Sequence, residues 1–126
     1  MSAAAEAQRP KRILVVDDEE DLRTFVAGIF DGLGYVVECA EDGAAALQKM
    51  ATTTPDLVVL DLMMPVMDGW GVLDRLREMA RHPPVVILSA YADCPRAIKA
   101  GAVGCLSKPF RLKDLVGTCE NVLRAA

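Results

Sequence analysis

The 126-residue chain has a single histidine, His82, and no CxxC pair among its cysteines. A tetrahedral zinc site needs several such ligands at close spacing, so zinc is not expected. Basic residues are also short: 14 Lys and Arg stand against 18 Asp and Glu, a formal charge of -4. A surface that grips phosphate backbones needs a basic stripe, so direct nucleic-acid binding is not expected. No apolar run approaches the roughly 20 residues that cross a bilayer, which argues against a membrane span. No GxGxxG follows the first apolar run, which removes the dinucleotide-binding fingerprint. The opening stretch "MSAAAEAQRP" carries Glu6 and lacks the apolar core of a secretory signal. Two disulfides would be possible with Cys39, Cys94, Cys105 and Cys119, but a reducing, cytoplasmic setting is expected. The cysteines are then read as free, small, buried hydrophobes.

What remains is an ordinary globular composition, 52% hydrophobic and 25% charged, with a length that fits one domain. Residues 1–10 read as a disordered, alanine-rich tail, and residues 11–126 as the domain. Strand-like and helix-like signals then alternate. Short apolar runs lie at Ile13 to Val16, Val36 to Val37, Leu57 to Leu60, Val85 to Leu88 and, more weakly, Val103 to Leu106. Between them come helical stripes. Leu22, Phe25, Val26, Ile29, Phe30 and Leu33 form the first, closed by Gly32 and Gly34. Ala45, Ala46, Leu47 and Met50 form the second, and Trp70, Val72, Leu73, Leu76 and Met79 the third, entered at Asp68-Gly69. A short piece near Arg96 to Ala100 is the fourth, and Leu112, Leu115, Val116, Cys119, Val122 and Leu123 the last. Strand runs without polar alternation are covered on both faces, and helical crossovers imply parallel strands. The fold class is α/β, a doubly wound five-stranded parallel sheet.

In such sheets ligands sit beyond the carboxyl ends of the strands. Asp17, Asp18, Glu19 and Glu20 follow the first strand and Asp61 the third. Ser89 closes the fourth, and Ser107, Lys108 and Pro109 follow the fifth. Taken singly, an acidic loop caps a helix and a Lys-Pro shapes a turn. Taken together, several acids, a hydroxyl and a lysine converge on one sheet edge. Clustered carboxylates repel in a partly dry site unless a cation joins them. An all-oxygen donor set suits a hard ion, Mg²⁺ before zinc. Such a set can stabilise a transferring phosphoryl group, with a lysine pairing to it and a carboxylate accepting it.

The segments "ILVVDDEEDLR", "LVVLDLMMPVMDG", "VVILSA" and "LSKPF", in that order, resemble the receiver domain of bacterial two-component response regulators. The likeness covers about Lys11 to Ala126. It implies a flavodoxin-like fold with strand order 2-1-3-4-5 and helices on both faces. It implies Asp61 as phosphoacceptor from a sensor histidine kinase or phosphotransfer protein. Asp18, Asp61 and the backbone carbonyl of Met63 would hold Mg²⁺, with Asp17 joining directly or through water. Ser89 and Lys108 would bind the phosphoryl group, and the Lys108–Pro109 peptide would be cis. An output protein or effector domain, or a homodimer, would read the switch.

Two departures stand out. The family's usual aromatic, three positions before the lysine, is replaced by Cys105, an atypical switch position. The interval from Ser89 to Lys108 is short, so a short fourth helix and a remodelled docking face are expected. Tyr91 is a candidate to replace the aromatic or gate water, and Met63 a candidate to tune phosphoryl lifetime. The alternative is an interaction module that signals without phosphorylation through a degenerate switch. A dehalogenase-type phosphatase is disfavoured, because Met63 stands where such enzymes need a second acid. Turnover catalysis is not expected. His82, Arg75, Arg77 and Arg81 read as solvated, Met64 and Met67 as packing, and Trp70 as packed on the sheet or at the surface.

Overall fold

The computed structural model describes residues 9–125; the tail expected at residues 1–10 lies mostly outside them. The chain alternates β1 (Arg12–Val16), α1 (Glu20–Gly32), β2 (Val36–Ala40), α2 (Gly43–Thr52) and β3 (Leu57–Leu60). It continues with α3 (Gly69–Arg77), β4 (Val85–Ser89), α4 (Cys94–Lys99), β5 (Gly104–Ser107) and α5 (Leu112–Ala125). The five strands form one parallel sheet in the order β2-β1-β3-β4-β5.

The two-residue period of the strands sorts the core onto two faces. Leu14, Val16, Val58, Leu60, Val85 and Ile87 pack with Ala46 and Met50 of α2, Val72, Leu73 and Leu76 of α3, and Ala97 of α4. Ile13, Val15, Leu57, Val59, Val86 and Leu88 pack on the opposite side. There they meet Val26 and Phe30 of α1 and Leu115, Cys119 and Leu123 of α5. This is the doubly wound sandwich read from the apolar runs, and α4 is short, at 6 residues.

Several edges of that reading shift. In α1, only Val26 and Phe30 are fully buried; Phe25 is 56% exposed, and Leu33 has left the helix as its exposed C-cap. Gly34, at φ +96, then turns the chain toward β2. Helix α3 ends at Arg77, before the exposed Met79, and β5 begins one residue after Val103, which faces solvent. Asp68 starts α3 by accepting a hydrogen bond from the Gly71 N–H. Trp70 is half-buried against the core, with the Arg96 guanidinium of α4 3.9 Å from its ring centroid.

The expectation of four free cysteines fails at two positions. Cys94, at the start of α4, is disulfide-bonded to Cys105 of β5, with their Cα atoms 5.5 Å apart. The short crossover lays α4 against the strand that follows it, which brings the two Cβ atoms within bonding reach. Cys39 and Cys119 are free, and Cys119 is fully buried. Burial, then the Glu120 charge, push the Cys119 thiol up to about 12, so it behaves as a hydrophobe.

Candidate functional site

The parallel register sets the site. Val16 is aligned with Leu60, and the next residues, Asp17 and Asp61, leave the sheet side by side. Ser89 is aligned with Ser107, which places Lys108 just past the same edge. Backbone hydrogen bonds hold these exits in place. Asp17 N–H donates to the Ala40 carbonyl at 3.1 Å, Asp61 N–H to Val16 at 3.0 Å, and Lys108 N–H to Ser89 at 3.0 Å. The four residues therefore leave the sheet on adjacent strands.

Three polar side chains at this edge are almost wholly enclosed: Asp17 at 4%, Asp61 at 5% and Ser89 at 0% exposure. Buried charge needs a partner. Lys108 supplies it, its Nζ lying 2.8 Å from Asp17 Oδ2 and 3.1 Å from Asp61 Oδ2. Burial opposes the ammonium charge, but hydrogen bonds to Asp17 and then Asp61, with their charges, outweigh it. The net effect holds the Lys108 pKa above its ordinary value. One ammonium faces two carboxylates, and the exposed Asp18 lies beside them.

Carboxylate oxygens of Asp17, Asp18 and Asp61 lie within 4.8 Å of one another. The donors are all oxygen and anionic, with one cation among them, so a hard divalent cation fits this set. The Met63 N–H donates to Asp61 Oδ1 at 3.3 Å, which brings the backbone at residue 63 to the same carboxylate. Ser89 Oγ accepts from the Tyr91 N–H at 3.2 Å, so its own proton is free to point elsewhere. The Tyr91 ring itself is 72% exposed. The Lys108–Pro109 peptide is cis.

Asp17, Asp18, Asp61, Met63, Ser89 and Lys108 are thus one constellation. Tyr91 reaches it through its backbone, and Cys105 does not reach it. Instead Cys105 is two strand positions short of Ser107 and bound to Cys94.

Two features of the site were not legible in the pattern of strand ends. The first is Gly69. A Cβ there would collide with the Asp61 carbonyl and come within 2.8 Å of Leu62 Cα, so only glycine lets α3 begin against the phosphoacceptor candidate. The Asp-Gly pair signals a helix start, but the close approach is a tertiary contact that leaves no trace in the spacing. The second is Val66, a β-branched residue at φ 68, with the Met67 N–H bonded to the Pro65 carbonyl at 2.7 Å. This tight turn costs about 1–3 kcal/mol. It returns the chain so that Gly69 N–H reaches the Leu62 carbonyl at 2.9 Å. Beside Lys108 and Pro109, the apolar side chains of Leu22, Phe25, Phe110 and Leu112 line an open pocket, which accounts for the exposure of Phe25.

Comparison with known proteins adds independent findings. Residues 13–120 match the family model described as "Response regulator receiver domain". The chain is 40% identical over 118 residues to the response regulator MprA of Mycobacterium sp. (strain KMS), covering 91% of this chain and 51% of that protein. It is 43% identical over 119 residues to the transcriptional regulatory protein PrrA of Mycobacterium leprae, covering 90% of this chain and 50% of that one. The chain therefore spans about half the length of these curated relatives. Among solved structures, the receiver domain of the Francisella response regulator 1452 superposes with a TM-score of 0.85 at 31% identity, covering 91% of this chain and 98% of that one. A CheY-like receiver domain protein of Methanospirillum hungatei superposes with a TM-score of 0.86 at 26% identity, covering 93% and 96%.

Proposed function

The chain belongs to the response regulator receiver domain family, and from that premise we propose that it works as a phosphoryl-accepting signalling switch. The observation that carries the proposal is the Lys108 ammonium held between the buried carboxylates of Asp17 and Asp61. In the proposed transfer the N–P bond of a phosphohistidine on a sensor kinase or phosphotransfer protein breaks as an Asp61 Oδ–P bond forms. The carboxylate becomes an acyl phosphate. Lys108 then shifts its hydrogen bond from Asp61 to a phosphoryl oxygen while keeping Asp17. The Ser89 hydroxyl, already accepting from Tyr91 N–H, donates to another phosphoryl oxygen.

Mg²⁺ is the cofactor that this donor set suits; Asp17, Asp18, Asp61 and the Met63 carbonyl would hold it, and it would neutralise the charge developing on the phosphoryl oxygens. Turnover is limited to the domain's own phosphorylation and slow dephosphorylation. The apolar pocket beside Lys108, with the exposed Phe25, offers a surface for the phosphodonor protein. The partners are that donor and an output protein or effector domain. No direct nucleic-acid contact by this domain is proposed, and a homodimer remains compatible with it. Among the described residues no helix is long and apolar enough to cross a membrane. A cytoplasmic setting follows from the proposed role.

Incubation with acetyl phosphate and Mg²⁺, followed by intact mass, tests the proposal. Wild-type protein gains a phosphoryl adduct that Asp61→Asn lacks; no adduct where a known receiver is labelled refutes it. The same assay followed over time reads the lifetime. Met63→Asn changes it, because the new side chain can orient an attacking water and methionine cannot. Tyr91→Ala changes it if the exposed ring screens water from the phosphate. A second reading has one observation in its favour. With Cys105 bonded to Cys94 at the switch position, the domain would signal by docking alone, and the missing adduct would select this reading.

A further inference from the structure

Helix α4 is attached to the body of the protein by very little. It has 6 residues, of which only Ala97 is buried; Ile98 is 49% exposed. Beyond Ala97 and the C-cap Ala100, which packs against the core, two contacts tie it to its neighbours among the described residues: the Arg96 guanidinium over Trp70 and the Cys94–Cys105 disulfide. Apart from the chain itself, the disulfide is the covalent link between the helix and the sheet. Both cysteines are partly exposed, and Cys105 also packs against the core. The position of the bond is as telling as its presence. Cys94 opens α4 at the end of the loop that follows Ser89, and Cys105 lies on the strand that leads into Lys108. The bond thus closes a covalent ring around the segment between the two residues that would grip a phosphoryl group.

We propose that Cys94 and Cys105 are a redox modification site, a dithiol–disulfide pair whose oxidation pins α4 to β5 and restrains the loop after Ser89, and whose reduction releases both. The restraint on phosphoryl signalling rests on the receiver reading above; the redox site itself does not. The chemistry is thiol–disulfide exchange with a low-molecular-weight disulfide. One cysteine thiolate attacks the external disulfide, forms a mixed disulfide and releases one small thiol. The second cysteine thiolate attacks the mixed disulfide, closes the Cys94–Cys105 bond and releases the second small thiol. Two protons leave the cysteines and two electrons pass to the external disulfide. A dithiol reverses both steps.

The test uses the whole chain equilibrated in glutathione buffers from fully reduced to fully oxidised, with Cys94→Ser and Cys105→Ser as controls. Thiols are counted by alkylation after denaturation, and amide hydrogen exchange is followed over residues 90–105 under native conditions. The expected result is two fewer alkylated thiols in the oxidised wild type, at Cys94 and Cys105, while Cys39 and Cys119 are modified in both forms. Exchange over residues 94–103 slows at least tenfold on oxidation, and neither serine variant responds. Phosphorylation with acetyl phosphate then accelerates exchange in this segment only in the reduced protein. Full alkylation under excess oxidised glutathione, or equal exchange in the two forms, overturns the proposal. If exchange responds to oxidation but neither form accepts a phosphoryl group, the redox site stands and the receiver reading falls.

Discussion

Along β3 every residue from Leu57 to Leu60 is buried, and the strand is paired on both sides, to β1 and to β4. At the other end of the site, β5 pairs only with β4, none of its residues is fully buried, and the helix before it buries one side chain. Asp61 thus projects from the buried centre of the sheet, and Lys108 and the loop after Ser89 belong to an edge with little burial. A carboxylate that must meet a phosphodonor in a fixed geometry belongs on a frame that does not yield. A group that must report the transfer belongs where a modest free energy can change the structure. At the edge, specific ties stand in for buried area, and specific ties can be made and broken.

After loss of the acceptor itself in Asp61→Asn, the largest expected effect is at the one residue that spans both parts. Lys108→Ala removes the ammonium that joins Asp17 and Asp61 to the β5 edge. The rate of adduct formation with acetyl phosphate falls by on the order of 10²-fold, the usual cost of losing one charge-stabilising donor. An unchanged rate would mean that the edge takes no part in the transfer and would dissolve the comparison.

The next effect tests the stiffness of the centre. Gly69→Ala drives a methyl into the backbone at Asp61 and Leu62, the two buried residues that follow β3. Overpacking of this kind costs about 1–3 kcal/mol or more, read as a lower urea midpoint. Gly28→Ala, in α1 where an added Cβ meets nothing within 4 Å, stabilises by about 0.4–1 kcal/mol through the unfolded chain and raises the midpoint. Equal shifts of the two variants would show that the Asp61 backbone is more adaptable than its burial implies.

The same contrast explains what the sequence disclosed. The centre of the sheet was legible because burial on both faces forces unbroken apolar runs, and Leu57 to Leu60 cannot be read otherwise. The strand-end acids, Ser89 and Lys108 followed from topology alone, since parallel strands put all their carboxyl ends at one edge. The stripe in α1 was overextended because spacing finds a helical face but not its width. Phe25 and Leu33 fit the period and still face solvent. The edge was least legible. Its order depends on pairings between residues distant in sequence, which leave no periodic trace. Cys94 and Cys105, an 11-residue separation apart, were read as unrelated because the compartment argument favoured thiols. A cysteine standing where an aromatic was expected was the available signal, and pairing it with the other cysteine of the shortened segment would have found the bond.

The smallest predicted effect sharpens the comparison most. Arg96 and Trp70 link α4 to α3 across the surface, and Trp70 is the chain's single tryptophan, so its emission reports on the surroundings of that ring. Arg96→Ala removes the cation over the ring, a contact worth about 0.5–1 kcal/mol at an exposed site. With the disulfide intact, α4 stays seated, and the variant shows only a small red shift as water reaches the indole. With the disulfide reduced, only Ala97 and the C-cap Ala100 still pack α4 against the core in this variant. The same substitution should then free the helix, with a larger red shift and faster exchange over residues 94–103. Ties that act in parallel on one small element are non-additive in this way, because each masks the loss of the other. If the shift in Arg96→Ala is the same in both redox states, the two ties act independently, and α4 is held by contacts other than these.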